Sequence, residues 1–112
     1  MNADVSGIIE LDVETLSDWR NRNEPHLLLD VREAAELETA AVAGATWIPM
    51  GQIVERIGEI PDDVPVVVMC HHGGRSAKVA EYLAGMGRSR IHNLSGGIDA
   101  YAKRIDPSIE RY

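Results

Sequence analysis

The sequence contains no phenylalanine, two tryptophans and three tyrosines, so aliphatic side chains must supply most of any core. It has one cysteine, Cys70. That excludes a disulfide within the chain, and also a second thiol able to resolve an oxidised Cys70, so a dithiol redox cycle cannot run in one chain. Basic residues are in deficit: 11 Lys and Arg against 18 Asp and Glu give a net charge of -7. No Lys/Arg run offsets this. The field repels phosphate backbones, and nucleic acid is not an expected partner. Long apolar runs are absent as well. None reaches the length of a membrane span, and Met1–Asp4 shows no basic stretch leading into an apolar one, so neither a membrane anchor nor a secretory leader is expected. The expectation is a cytoplasmic protein. With no long amphipathic stripe to demand a partner, a monomer or weak dimer is the default.

What is present fits one domain over residues 1–112, with 45% hydrophobic residues and enough length to bury a core without disulfides or a structural metal. Ile8 to Leu11 reads as a strand. Asp12 is placed to cap a helix over Val13 to Arg22, with Leu11 available as a staple to Leu16. Leu27 to Leu29 is an apolar run ending at Asp30, and Val66 to Met69 is a second run, rich in β-branched residues. Neither alternates, which points to strands buried on both faces. Further strands are expected at Thr46–Ile48 and Ile91–Leu94. Helices are expected at Glu33–Glu38, Gln52–Glu59 and Ser76–Met86, the last stopped by Gly87, and another is opened by Gly96-Gly97 and runs through Arg104. Strands alternate with helices throughout. The fold class is therefore α/β, with a mainly parallel five-stranded sheet and helices on both faces.

The densest chemistry is the stretch VVVMCHHGGRSAKVAEYL, Val66 to Leu83. Cys70 sits at the carboxyl end of a buried strand, where ligands of open α/β sheets bind, and just before a helix N-terminus, where free N–H groups favour negative charge. Gly73 and Gly74 permit a tight loop that aims several N–H groups inward as an anion nest. His71, His72, Arg75 and Lys78 add local positive character. Such surroundings favour the thiolate, which is the nucleophile. The competing reading, a cysteine that merely packs as a small hydrophobe, does not explain the glycines, because a core position needs no glycine loop. A metal site is not expected: adjacent His71 and His72 are poorly spaced for one ion, and His26 and His92 read as surface or loop residues.

Four segments, in order, resemble the rhodanese (sulfurtransferase) family: LLLDVRE (Leu27–Glu33), AGATWIPM (Ala43–Met50), the Cys70 stretch, and NLSGGIDAYAK (Asn93–Lys103). The chain departs from the family's pattern with Ala40-Ala41 before its Gly-Ala and with Tyr101 where a tryptophan is common. The resemblance implies a rhodanese-like fold and a two-step transfer needing no cofactor. Cys70 takes the outer sulfur of a small anionic donor such as thiosulfate. The persulfide is held by backbone N–H groups of the loop, whose residues are Cys70, His71, His72, Gly73, Gly74 and Arg75, with Arg75 and the imidazoles orienting the anionic donor and Ser76 as a helix cap. A nucleophile such as cyanide or a thiol then removes the sulfur. Asp30 and Arg32, at the end of a neighbouring strand, are expected either to support the loop through hydrogen bonds or an ion pair, or to form a solvated or purely structural pair. The ending YAKRIDPSIERY is similar to rhodanese domains fused to adenylylating enzymes that pass sulfur to a sulfur-carrier protein; a cysteine desulfurase is another expected partner. Two other readings stay open. Cysteine phosphatases place five residues between Cys and Arg, whereas four lie between Cys70 and Arg75, and an arsenate reductase closing a disulfide needs a second cysteine. A non-catalytic rhodanese-like module binding a partner is the third class, and modules of that kind often lack the cysteine.

Overall fold

The computed structural model describes residues 7–112; the leader reading of Met1–Asp4 lies outside them. Five strands, β1 (Ile8–Leu11), β2 (Leu27–Asp30), β3 (Thr46–Trp47), β4 (Val66–Met69) and β5 (Ile91–Leu94), form one sheet in the order β1-β5-β4-β2-β3. Every neighbouring pair is parallel. Helices α1 (Val13–Asn21), α2 (Ala34–Thr39) and α3 (Gly74–Gly85) connect strands, and α4 (Gly97–Arg104) follows the last of them.

The apolar runs behave as strands buried on both faces should. Along β4, Val66 and Val68 enter one core layer with Val79, Ala80 and Leu83 of α3, while Val67 and Met69 enter the opposite layer with Val13, Leu16, Ile98 and Tyr101. Leu29 and Leu28 divide in the same way. Local signals set the helix ends. The Asp12 carboxylate accepts from the Thr15 N–H at 2.8 Å, and Leu11 and Leu16 share a core layer, as a capped and stapled start requires. At the other end of α3, Gly87 N–H reaches Ala84 O and Arg88 N–H reaches Leu83 O, a Schellman closure that a positive φ at Gly87 permits.

Two expectations are corrected. Gln52–Glu59 is not one helix but two 3₁₀ turns, Met50–Gln52 and Ile57–Glu59. Gly51, Gly58 and the β-branched Ile53, Val54 and Ile57 disfavour a continuous α-helix, and burial of Ile53 and Ile60 anchors the segment without one. His92 is not a surface or loop residue. It lies in β5, buried, with its ring edge-on to Trp19; His26 does lie in a loop. Among the described residues no helix is long and apolar enough to cross a membrane.

Asp30 and Arg32, at the end of β2, form a buried bidentate pair with contacts of 2.9 and 2.7 Å. Arg32 also donates to Ala40 O at 2.9 Å, and its own carbonyl accepts from the Trp47 indole at 2.8 Å. The pair therefore ties β2, α2 and β3 together rather than standing in solvent. Asp30→Asn leaves the guanidinium charge buried without its counterion. The expected cost is about 3–5 kcal/mol in a urea unfolding curve, and a loss of under about 1 kcal/mol, the range of an exposed pair, would contradict this account.

Candidate active site

The site is assembled where β4 ends. Cys70 follows Met69 directly and is 1% exposed. Gly73, with φ of +113°, turns the chain sharply into α3, which begins two residues earlier than the sequence pattern predicts. That turn aims three donors at the Cys70 sulfur: Gly73 N–H at 3.1 Å, Ser76 N–H at 3.4 Å and the Ser76 hydroxyl at 3.3 Å. Burial is the largest influence on the thiol and opposes ionisation. The Ser76 hydroxyl and N–H, with the Gly73 and His72 N–H groups, outweigh it and bring the thiol below its ordinary value.

The loop's carbonyls are occupied from another direction. Ile98 and Asp99 N–H, in the first turn of α4, donate to Cys70 O and His71 O at 2.9 and 3.1 Å. Gly97, with φ of +61°, lies so close that a Cβ there would overlap the backbone of Cys70 and His71. This is the physical requirement behind the second glycine of Gly96-Gly97.

Ser76 has a second neighbour, Asn93 Oδ1, at 2.5 Å. Asn93 Nδ2 donates to the Glu10 carboxylate at 3.1 Å and to Gly73 O at 3.2 Å, which fixes the amide with its oxygen toward Ser76. One hydroxyl proton thus faces two acceptors, and an ionised Cys70 draws it to the sulfur.

Arg75 does not point into empty space. Its guanidinium forks onto the Glu36 carboxylate at 2.6 and 2.9 Å. That fork is the main reason Glu36 is held down to about 2. Tyr112 locks the arrangement. Its hydroxyl donates to Glu36 at 2.8 Å and accepts from Arg32 at 2.9 Å, and its ring stacks on His71 with centroids 3.9 Å apart and planes 5° apart. Among the described residues, the hydrogen bonds from Arg32 toward the loop run through Tyr112 and Glu36.

His71, His72 and Asp99 bring one ligand atom each to within 4.8 Å of one another. They do not make a good metal shell. The two imidazoles stack 3.9 Å apart at 31°, so their in-plane lone pairs do not converge, and Asp99 is engaged by Arg111 at 3.0 and 3.2 Å.

The expected loop residues lie together after β4, with two corrections: Ser76 is not the helix cap, since α3 is capped at Gly73 and the Ser76 hydroxyl turns to Cys70 and Asn93, and the Arg75 fork faces Glu36 instead of standing free for a donor. Glu36, Asn93, Glu10 and Tyr112 were not anticipated. Glu36 carries one local signal, since it completes a capping box with Glu33 at the start of α2, but nothing local links it to Arg75, and Tyr112 is 80 residues from Arg32.

Two variants test this geometry. Ser76→Ala removes a donor to the sulfur, so the pH midpoint of iodoacetamide alkylation at Cys70 should rise by about one unit; an unmoved midpoint would remove Ser76 from the account. Gly97→Ala forces a side chain into a positive φ and onto the loop backbone. It should cost about 2 kcal/mol or more of stability and slow Cys70 alkylation, both read on the same preparation.

The model of the Rhodanese-like domain matches residues 12–104. A protein of Allochromatium vinosum named "Sulfurtransferase" is 40% identical over 100 residues, covering 89% of this chain and 94% of that one. A probable adenylyltransferase/sulfurtransferase of Mycobacterium tuberculosis is 33% identical over 99 residues, covering 87% of this chain but only 25% of its own length. Among solved structures, a rhodanese-like domain protein from Staphylococcus aureus superposes with a TM-score of 0.80 at 27% identity, over 93% of this chain and 98% of that one. The chain belongs to the rhodanese-like domain family.

Proposed function

We propose that this protein is a sulfurtransferase that carries sulfane sulfur as a persulfide on Cys70. The observation that carries the reading is the ring of N–H and O–H donors around one buried sulfur. These donors stabilise the thiolate before transfer and the terminal sulfur of the persulfide after it. With thiosulfate, the Cys70 thiolate attacks the outer sulfur, the donor's S–S bond breaks, and sulfite leaves with the electron pair. Cyanide then attacks the outer sulfur of the persulfide, thiocyanate departs, and the Cys70 thiolate returns.

The same features weigh against a phosphatase. A phosphoryl group needs a free arginine fork in the loop, and the fork of Arg75 is occupied by Glu36. The resemblance to an adenylyltransferase/sulfurtransferase supports a sulfur-carrier protein as one acceptor, with a cysteine desulfurase or a small persulfide as donor.

Intact mass decides the matter. After incubation with thiosulfate or with the persulfide of 2-mercaptoethanol, the protein should gain one sulfur atom. The gain should be absent in Cys70→Ser and reversed by cyanide with release of thiocyanate. No gain with either donor would defeat the proposal.

A further inference from the structure

Every arginine that touches this site already holds a carboxylate. Arg32 holds Asp30, Arg111 holds Asp99, and Arg75 holds Glu36. Arg75 is the one that matters for a donor. It sits in the first turn of α3, the helix that starts at the Cys70 loop. We propose that Glu36 is a specificity residue for this site: its carboxylate occupies the guanidinium fork of Arg75 as an internal competitor and selects against small dianionic sulfur donors. The inference rests on the persulfide reading of Cys70 and adds to it the class of donor that the site disfavours.

The competitor is well held. Glu36 makes two charge-assisted bonds to Arg75, accepts a third hydrogen bond from the Tyr112 hydroxyl and a fourth from the Glu33 N–H. Its side chain is 19% exposed, so solvent screens the ion pair only in part. Glu36 stays ionised throughout the neutral range. To engage Arg75, thiosulfate must break both fork bonds. It also leaves a half-buried carboxylate without its counterion and facing a dianion.

A neutral persulfide, R–S–SH, meets no such demand. The Cys70 thiolate attacks its terminal sulfur, a new S–S bond forms as the donor's S–S bond breaks, and the electron pair leaves on R–S⁻. The proton stays with the transferred sulfur. Charge is one negative before and after, so the step calls on the N–H groups at Cys70 and not on a free arginine.

The test is the affinity of thiosulfate for the full chain carrying Cys70→Ser, measured by calorimetry. No sulfur moves in that background, so the result stands apart from the mass experiment. Adding Glu36→Gln, which preserves the capping box, should tighten binding roughly tenfold, the scale of one strong charge-assisted contact. With Cys70 intact, the same substitution should lower KM for thiosulfate more than it changes kcat. The gain should vanish when Arg75→Met is added, an outcome that a merely structural role for Glu36 does not produce. If Glu36→Gln fails to fold, Glu36→Ala should show the same gain. Unchanged or weaker binding, or a gain that persists without Arg75, overturns the proposal.

Discussion

The site depends on one backbone constraint: a peptide turn can aim its N–H groups at a single sulfur only if its carbonyls are satisfied elsewhere. Here α4 does this, with Ile98 and Asp99 N–H groups taking the carbonyls of Cys70 and His71. The close approach requires a residue without a side chain at position 97. A helix N-terminus normally offers its free N–H groups to a ligand or a cap. In this protein one helix start, that of α3, faces the sulfur, while another, that of α4, holds the back of the loop. The two glycine pairs, 73–74 and 96–97, therefore belong to the same device although the chain between them runs through a helix and a strand.

Charge is arranged around that device in closed pairs. Asp30 and Arg32 are fully desolvated and bind α2 and β3 to the end of β2. Glu36 extends from α2 to Arg75, and Tyr112 bridges Glu36, Arg32 and the His71 ring. The loop is consequently gripped on one side by backbone and on the other by side chains. An acidic chain thus favours the Cys70 thiolate through hydrogen-bond dipoles rather than through uncompensated cations.

Much of the architecture was legible because it is local. Unalternating Leu27–Leu29 and Val66–Met69 reported burial on both faces, and Asp12 with Leu11 and Leu16 reported a helix start. The same reasoning failed where tertiary anchoring outweighed local pattern. Gln52–Glu59 has enough apolar periodicity to resemble a helix, but two buried isoleucines hold it as separate turns around glycines. His92 read as a surface or loop residue although it falls within the expected strand Ile91–Leu94; in β5, flanked by β1 and β4, it is buried against Trp19.

By itself, the sequence determined that a lone cysteine would end a buried parallel strand, enter a glycine turn and meet a helix start, and therefore that its thiolate would be favoured. These are consequences of residues adjacent in the chain. Only the tertiary structure decided how the charges combine. Arg75 meets Glu36 across 39 positions, Asn93 meets Glu10 across 83, and Tyr112 meets Arg32 across 80. Ion pairs and hydrogen bonds act over a few ångströms, and no local pattern reports which distant side chains the sheet order will bring within that range.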